Sequence, residues 1–135
     1  MRTLINIDVD DLTRAERFYC EAFDLEAGRR FGAQAVELLG TSTAIYLLLK
    51  DTGTPAANST PARRSYQRHW TPVHLDFIVE EIDPAVRKAV SAGAVLEDPV
   101  QTQHWGRSAH LSDPFGHGFC LIQFLGRGYD EIARE

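Results

Sequence analysis

Two polar side chains that could take part in chemistry stand two residues apart near the middle of the chain. His74 and Asp76 alternate with the apolar Leu75 and Phe77, and residues two apart on a β-strand point to the same face. An imidazole beside a carboxylate can hold a metal ion, bond a small molecule, or form a satisfied pair inside a core. Because a buried carboxylate without a partner is costly, we expect Asp76 to bond His74 or a nearby backbone donor.

The two cysteines are candidates of a second kind. The first residues of the chain lack the apolar core and cleavage site of a secretory signal. A cytosolic protein with reduced Cys20 and Cys120 is therefore expected, not a disulfide framework. No basic residue adjoins Cys120 in the sequence to lower its pKa. A small core residue is the more frequent role of such a thiol, and a ligand-binding role stays open.

The elements that would position these residues begin with a strand and a helix. Residues 5–9 alternate between apolar and polar types, which predicts a half-buried strand. Asp11 is the predicted N-cap of an amphipathic helix of about three turns. Gly28 is expected to interrupt the chain between this helix and the strands that follow. Short strands are predicted around 29–31, 36–39 and 44–49, with Arg29 and Arg30 at a solvated edge.

The second half of the sequence repeats this order of predicted elements. Alternation over 73–79 predicts a strand, Asp83-Pro84 is the predicted N-cap with proline at the first helical position, and Gly93 is expected to end the helix. The predicted apolar face of that helix comprises Ile82, Val86, Ala89 and Val90. Strands are predicted near 94–96, 107–111 and 119–124, with a turn at 113–116 before the last one.

The two halves align at an offset of 70, which pairs Leu4 with His74 and Val9 with Val79. The chain therefore reads as a tandem duplication, in which each half has one helix on one face of a small sheet. The other face of each sheet is expected to be covered by the opposite half, leaving a cleft. The predicted organisation is module one at 1–50, a linker at 51–70, module two at 71–125 and a C-terminal tail at 126–135.

Composition limits the class of protein. A chain of 135 residues predicts one domain, and 44% hydrophobic with 24% charged residues is ordinary for a globular chain. A net charge of -5 disfavours binding to a nucleic-acid backbone. The longest apolar run, 44–49, is far shorter than the ~20 residues of a membrane span. Neither a nucleic acid nor a membrane is expected as a partner.

The duplicated pattern resembles the vicinal oxygen chelate superfamily, which groups glyoxalase I, extradiol dioxygenases, fosfomycin resistance proteins and bleomycin resistance proteins. The resemblance implies an α+β fold of two tandem βαβββ modules forming a curved-sheet cleft, and a homodimer. It rests on the order of four motifs, which are Ile7-Asp8-Val9-Asp10-Asp11-Leu12, Val73-His74-Leu75-Asp76-Phe77, Trp105-Gly106-Arg107 and Asp113-Pro114-Phe115-Gly116.

The resemblance also implies where a metal ion would be held. The four ligand positions of the family's metal enzymes fall on Leu4, Tyr46, His74 and Cys120, and only His74 is a residue type that the family uses. The catalytic glutamate positions are empty, so no metal, no other cofactor and no catalytic residue are predicted. A divalent metal in a shifted site of His74, Asp76 and Cys120, or one borrowing His110, is the less favoured alternative.

The sequence therefore predicts a small-molecule-binding protein of the glyoxalase/bleomycin resistance type with a degenerate metal site. Its predicted partner is a small organic molecule. One alternative is a metal-dependent lyase, isomerase or dioxygenase with a shifted ligand set; another is an interaction module whose cleft is plugged by rings such as Phe124. Tyr46 and Trp105 present apolar rings with polar tips, which suit a ligand wall. The predicted ligand-binding residues are Asn6, Tyr46, His74, Asp76, Trp105 and Cys120.

Overall fold

The computed structural model describes residues 1–134, so Glu135, the last residue of the predicted tail, lies outside the described residues. The chain divides into two compact units, Met1–Gln67 and Arg68–Glu135. Within residues 1–134 each unit has one α-helix and one sheet, which confirms the predicted mixed α+β class with two sheets. Among residues 1–134, no helix combines the length and the apolar character needed to cross a bilayer.

The first unit contains a four-stranded sheet in the order β1-β4-β3-β2. The outer pair β1 and β4 is parallel, and the other pairs are antiparallel. All the elements predicted for this half are present. Their bounds are β1 Ile5–Val9, α1 Leu12–Phe23, β2 Glu26–Phe31, β3 Ala35–Leu39 and β4 Ile45–Leu49.

Helix α1 begins after Asp11 and spans about three turns, as the sequence predicts. Asp11 caps it by accepting a hydrogen bond from the Arg14 backbone N–H at 3.0 Å. The helix ends at Asp24, which adopts a left-handed conformation with φ 55°. The prediction that Gly28 punctuates the chain after the helix was wrong, because Gly28 lies inside β2. A Cβ atom at Gly28 would come within 2.6 Å of Glu37 Oε1, so the glycine makes room for that carboxylate.

The second unit repeats this topology. Its sheet has the order β5-β9-β8-β6, with β5 and β9 parallel. A two-residue strand that the sequence did not predict, β7, pairs with β8. The elements are β5 Leu75–Ile78, α2 Ile82–Ala92, β6 Val95–Leu96, β7 Gln101–Thr102, β8 Gly106–Ser112, β9 Gly118–Phe124 and a 3₁₀ helix at Gly128–Glu131.

The start of α2 differs from the prediction, and its end does not. Glu81 is the N-cap, so the Asp83-Pro84 cap was wrong by two residues. Asp83 lies in the first helical turn, where an acidic side chain is favourable, and pairs with Arg107 at 2.9 Å. Gly93 ends the helix as predicted, with φ 127°. Val90 is 44% exposed, so it does not belong to the buried face that the sequence assigned to it.

Each sheet has one apolar face that packs on its own helix. In the first unit the residues of that face are Val36, Leu38, Ile45 and Leu47; in the second they are Ala109, Leu111, Phe119 and Leu121. Because side chains alternate along a strand, the intervening residues lie on the opposite face of each sheet. Those opposite faces carry the polar residues that the sequence singled out.

Residues 51–67, within the predicted linker, belong to the first unit. An isolated bridge joins Pro55 to Arg63. The Arg64 side chain donates to Asp8 Oδ2 at 2.8 Å and to the Pro55 carbonyl oxygen. The Tyr66 hydroxyl donates to the Lys50 carbonyl at 2.6 Å. Arginine and tyrosine hydrogen bonds thus fix a segment whose composition offers little apolar surface.

Candidate functional site

The polar face of the second sheet brings together three of the predicted ligand-binding residues. Asp76 on β5 is the register partner of Cys120 on β9, and Cys120 is the register partner of His110 on β8. His74 directly precedes β5, and its Nε2 lies 3.2 Å from Asp76 Oδ1. The side chains of His74 and Asp76 remain 50% and 36% exposed. Two-residue spacing therefore does put His74 and Asp76 in contact.

One donor atom from each of His74, Asp76 and Cys120 lies within 4.8 Å of the others. An imidazole nitrogen, a carboxylate oxygen and a sulfur form a donor set that suits a zinc-type ion better than magnesium or manganese. His110 points to other partners, since its ring nitrogens lie 3.7 Å from Glu97 and 3.8 Å from Asp98. The shifted site drawn from the sequence is thus geometrically available with three donors.

Metal binding at this site would be coupled to deprotonation of Cys120. Burial raises the pKa of the Cys120 thiol to about 11, and the charge and hydrogen bond of Asp76 act in the same direction. At neutral pH the sulfur is therefore protonated, and the thiolate is the form that acts as ligand and nucleophile. A metal ion would have to displace this proton and the contact with Asp76.

The polar face of the first sheet carries a different row. Asn6 on β1 is the register partner of Tyr46 on β4, which is the register partner of Glu37 on β3. The Tyr46 hydroxyl donates to Glu37 Oε2 at 2.8 Å. Arg29 Nη2 donates to Glu37 Oε2 at 2.7 Å and to the Tyr46 hydroxyl oxygen at 2.8 Å. Arg29, Glu37 and Tyr46 therefore form a closed ring of hydrogen bonds, which we call the Glu37 network.

Glu37 is the anchor of this network. It is only 7% exposed, and its Oε1 accepts from both the backbone N–H and the Nε of Arg29 at 3.2 Å. Hydrogen bonds from the Arg29 side chain, the Arg29 backbone and Tyr46 lower the pKa of Glu37 to about 2. Pairing with Glu37 raises the pKa of Arg29 in turn. The carboxylate is ionised across the physiological range and is too weak a base for proton abstraction there.

Sequence reasoning missed Glu37 and did not predict the pairing of Arg29 with it. The signal for Glu37 was a single charged residue inside the apolar run Val36-Glu37-Leu38, since a lone buried charge requires a partner. Arg29 was expected at a solvated edge; its side chain is 68% exposed, but its guanidinium group is paired with Glu37. A β-bulge between Ala27 and Arg30 breaks the register with β3, and pattern alone does not predict bulges.

An exposed ring borders the Glu37 network. Phe31 is 47% exposed, its ring centroid lies 6.2 Å from that of Tyr46, and the Arg29 guanidinium carbon lies 5.9 Å from the Phe31 centroid. Asn6 is exposed, and its side chain has no hydrogen-bond partner among residues 1–134. Phe31, Tyr46 and Asn6 thus offer an aromatic surface beside two polar groups.

The remaining predicted residues lie elsewhere in their units. Trp105 packs against Tyr129 and Phe124, with ring centroids 5.1 and 6.3 Å away, so it forms an aromatic cluster with the end of the chain. Leu4 precedes β1, is 55% exposed and has no ligating atom in its side chain.

Comparison with known proteins identifies the family. A family model described as a glyoxalase-like domain matches residues 4–122. The chain belongs to the glyoxalase-like family. This family match confirms the resemblance to the vicinal oxygen chelate superfamily that the motifs indicated.

Two relatives illustrate the sequence similarity of this glyoxalase-like protein. An uncharacterised protein of Mycobacterium bovis is 30% identical over 119 residues, which cover 85% of this chain and 78% of that one. The anthracycline biosynthesis protein DauV of a Streptomyces species is 28% identical over 133 residues, which cover 96% of this chain and 43% of that protein.

Solved structures share the fold at lower sequence identity. The fosfomycin resistance protein FosX of Listeria monocytogenes, solved as a mutant with Mn(II) and a dihydroxypropylphosphonic acid, has a TM-score of 0.72. It is 20% identical and covers 98% of both chains. Lactoylglutathione lyase of Agrobacterium tumefaciens has a TM-score of 0.62 at 20% identity, with 91% of each chain covered.

Proposed function

We propose that this protein binds a small organic molecule, without the four-ligand metal site of its family. The observation that carries the proposal is the Glu37 network. Tyr46 occupies a family ligand position, and its hydroxyl is engaged by Glu37 and Arg29 at 2.8 Å each. Leu4, at the other ligand position of the first unit, has no ligating atom. Two of the four positions therefore supply no metal donor.

Two acid–base groups of the polar faces, Glu37 and Cys120, support binding more than catalysis. Proton abstraction next to a carbonyl needs a base whose pKa lies near the working pH. Glu37, with its pKa near 2, is fully paired, and Cys120 is protonated at neutral pH. Neither group is poised to exchange a proton with a substrate.

The relatives support a ligand of natural-product type. Their names include anthracycline biosynthesis proteins and a fosfomycin resistance protein, which concern small organic molecules. The exposed Phe31 ring beside Tyr46 gives a flat ligand a surface on which to stack. We therefore propose an aromatic ligand.

Binding with and without metal tests the proposal. Protein treated with a chelator, and the same protein resupplied with Zn(II) or Mn(II), would each be titrated calorimetrically with an anthracycline and with naphthalene-sized aromatics. We expect saturable binding of the same affinity in all preparations. Binding that requires added metal would contradict the proposal, as would the absence of binding by every aromatic probe.

A second candidate is a metal-dependent lyase, isomerase or dioxygenase with a shifted ligand set. The convergence of His74, Asp76 and Cys120 donor atoms within 4.8 Å favours it. These residues would hold a zinc-type ion, which when bound polarises a carbonyl oxygen as a Lewis acid. About one equivalent of metal after dialysis, lost in His74→Ala, would support this candidate; metal content unchanged by His74→Ala would exclude it.

We also propose that the protein is a cytosolic homodimer. The family resemblance supports the dimer, and the two free cysteines, Cys20 and Cys120, support a reducing compartment. Light scattering during size-exclusion chromatography would test the assembly, and a monomer across a hundredfold dilution series would contradict it. Fractionation of cells that produce the protein would test the location.

A further inference from the structure

The direction of the hydrogen bonds in the Glu37 network determines which kind of ligand group Tyr46 can bind. Glu37 is ionised, so the hydrogen between the two oxygens belongs to Tyr46 and is donated to Glu37 Oε2. Both hydrogens of Arg29 Nη2 are used, one by Glu37 Oε2 and one by the Tyr46 oxygen. A phenol oxygen has one hydrogen and accepts through its lone pairs. What Tyr46 has left for a ligand is therefore an acceptor.

Asn6 supplies the complementary group. It is the register partner of Tyr46 on the adjacent strand, so the two side chains emerge from the same face about 5 Å apart at the backbone. Its amide is exposed and without a side-chain partner among residues 1–134, so both its donor and its acceptor functions are available. A ligand group that donates to Tyr46 and accepts from Asn6 satisfies both residues.

Charge and shape narrow the ligand further. The positive charge of Arg29 is neutralised by Glu37 in a bidentate pair, so this face has no net charge to attract an anion. A carboxylate or an ether oxygen would present lone pairs to the Tyr46 lone pair, which is unfavourable. Phe31, 47% exposed beside Tyr46, offers a ring on which a planar molecule can stack.

We infer that Asn6, Tyr46 and Phe31 form a binding site for the hydroxyl group of a flat aromatic molecule, such as a phenol or an enol. The hydroxyl donates to Tyr46 Oη and accepts from the Asn6 amide while the ring stacks on Phe31. This inference rests on the proposed function and adds the chemical class of the ligand. Glu37 is a positioning residue, because it fixes the polarity of Tyr46 without contacting the ligand.

Three probes of equal ring size test the inference at pH 7: 2-naphthol, 2-methoxynaphthalene and 2-naphthoate. Dissociation constants would be measured by calorimetry or by NMR shift titration. We expect 2-naphthol to bind about 5- to 10-fold more tightly than the other two, the effect of one satisfied hydrogen bond against an unsatisfied acceptor. Equal affinities for the three probes would overturn the inference.

Two variants and a control connect that preference to the network. Tyr46→Phe removes the acceptor, so the preference for 2-naphthol should fall below about twofold. Glu37→Gln replaces the acceptor with an amide that can donate to Tyr46, which frees the phenol hydrogen and should shift the preference toward 2-methoxynaphthalene. Tyr129→Phe, at an exposed tyrosine of the second unit, should leave the preference unchanged. Circular dichroism would verify that each variant is folded.

The outcomes separate this inference from the proposed function. If the probes bind but Tyr46→Phe keeps the full preference, the hydroxyl is recognised elsewhere, and only the inference fails. A Glu37→Gln variant that binds the three probes in the wild-type order would also overturn it, since the polarity of Tyr46 would then be irrelevant. If no aromatic probe binds the wild-type protein, both the inference and the proposed function fail.

Discussion

The polar faces of the two sheets use the same register positions for different chemistry. In the first unit Asn6, Tyr46 and Glu37 form a row across three strands; in the second, Asp76, Cys120 and His110 form the corresponding row. In the first row Arg29 binds Glu37, whose side chain is 9% exposed. In the second row the carboxylate is 36% exposed and contacts an imidazole and a thiol.

This difference separates what the fold determines from what individual residues determine. Strand order, helix placement and the apolar faces are repeated in both units. The charge state of each polar face depends on single side chains, in particular on whether an arginine is present to pair with the carboxylate. A duplicated fold can therefore keep one face that is fixed by hydrogen bonds and one face whose groups remain accessible to solvent and to ligation.

Truncation of corresponding core residues should lower the free energy of unfolding more than any other change proposed here. The loss should be similar in the two units. Leu47 and Leu121 occupy equivalent helix-facing positions on the last strand of each sheet and are 0% and 1% exposed. Leu47→Ala and Leu121→Ala should each lower the free energy of unfolding by about 2–5 kcal/mol, because each leaves a cavity. Urea denaturation measures both losses. A loss below about 1 kcal/mol at one site only would show that the apolar faces are not equivalent.

Glu37 should contribute a pH-dependent part of the stability of the first unit. The pKa of Glu37 is lowered from 4.5 to about 2, so this group stabilises the folded state fully above pH 4.5 and progressively less as the pH falls toward 2. Glu37→Gln should lack this component, so its urea midpoint should change less than that of the wild type between pH 5 and pH 2. Parallel curves for the two proteins would contradict the assignment. Glu26→Gln, at an exposed carboxylate of β2, serves as the control.

The reactivity of Cys120 should respond to Asp76. Burial and the Asp76 charge raise the pKa of the thiol to about 11, so alkylation by iodoacetamide at pH 8 should be slow. In a Cys20→Ser background, Asp76→Asn should accelerate alkylation by about 3- to 10-fold, since it removes the charge that disfavours the thiolate. An unchanged rate would mean that burial alone controls the thiol.

The ion pairs at the borders of the two polar faces should contribute least to the free energy of unfolding. Arg64 binds Asp8 in the first unit, and Arg68 binds Glu97 in the second, with side chains between 18% and 34% exposed. Asp8→Asn and Glu97→Gln should each cost no more than about 1 kcal/mol because solvent screens such pairs. Urea denaturation at low and high salt measures the change in free energy of unfolding. A clearly larger loss in Asp8→Asn would mean that the contact with Arg64 holds the 51–67 segment in place.

Most of the fold could be predicted because it depends on periodicity. Alternation located the strands, the spacing of apolar residues located both helices, and Asp11 and Gly93 marked helix ends. The errors concern residues whose position depends on contacts between elements and not on a repeating pattern. Gly28 was expected to interrupt the chain before β2 but lies inside that strand and makes room for Glu37, and Glu81 is the N-cap in place of Asp83.

The candidate sites were predictable to different degrees. His74 and Asp76 were paired by their spacing alone, and the structure brings Cys120 to them from a strand 44 residues away. The Glu37 network was not predicted, because the contact of Arg29 with Tyr46 depends on a bulged strand and on a glycine at position 28. Composition and periodicity do not show that the Arg29 and Tyr46 side chains come into contact.

Native mass spectrometry of the chelator-treated protein with 2-naphthol tests the central claim most directly, because the mass of a complex reports its ligand and its metal content together. The account predicts a complex of protein and aromatic molecule with no metal ion, depleted in Tyr46→Phe. A complex that forms only with a divalent ion in its mass, and that is abolished by His74→Ala, would contradict the account in favour of a metal-dependent enzyme.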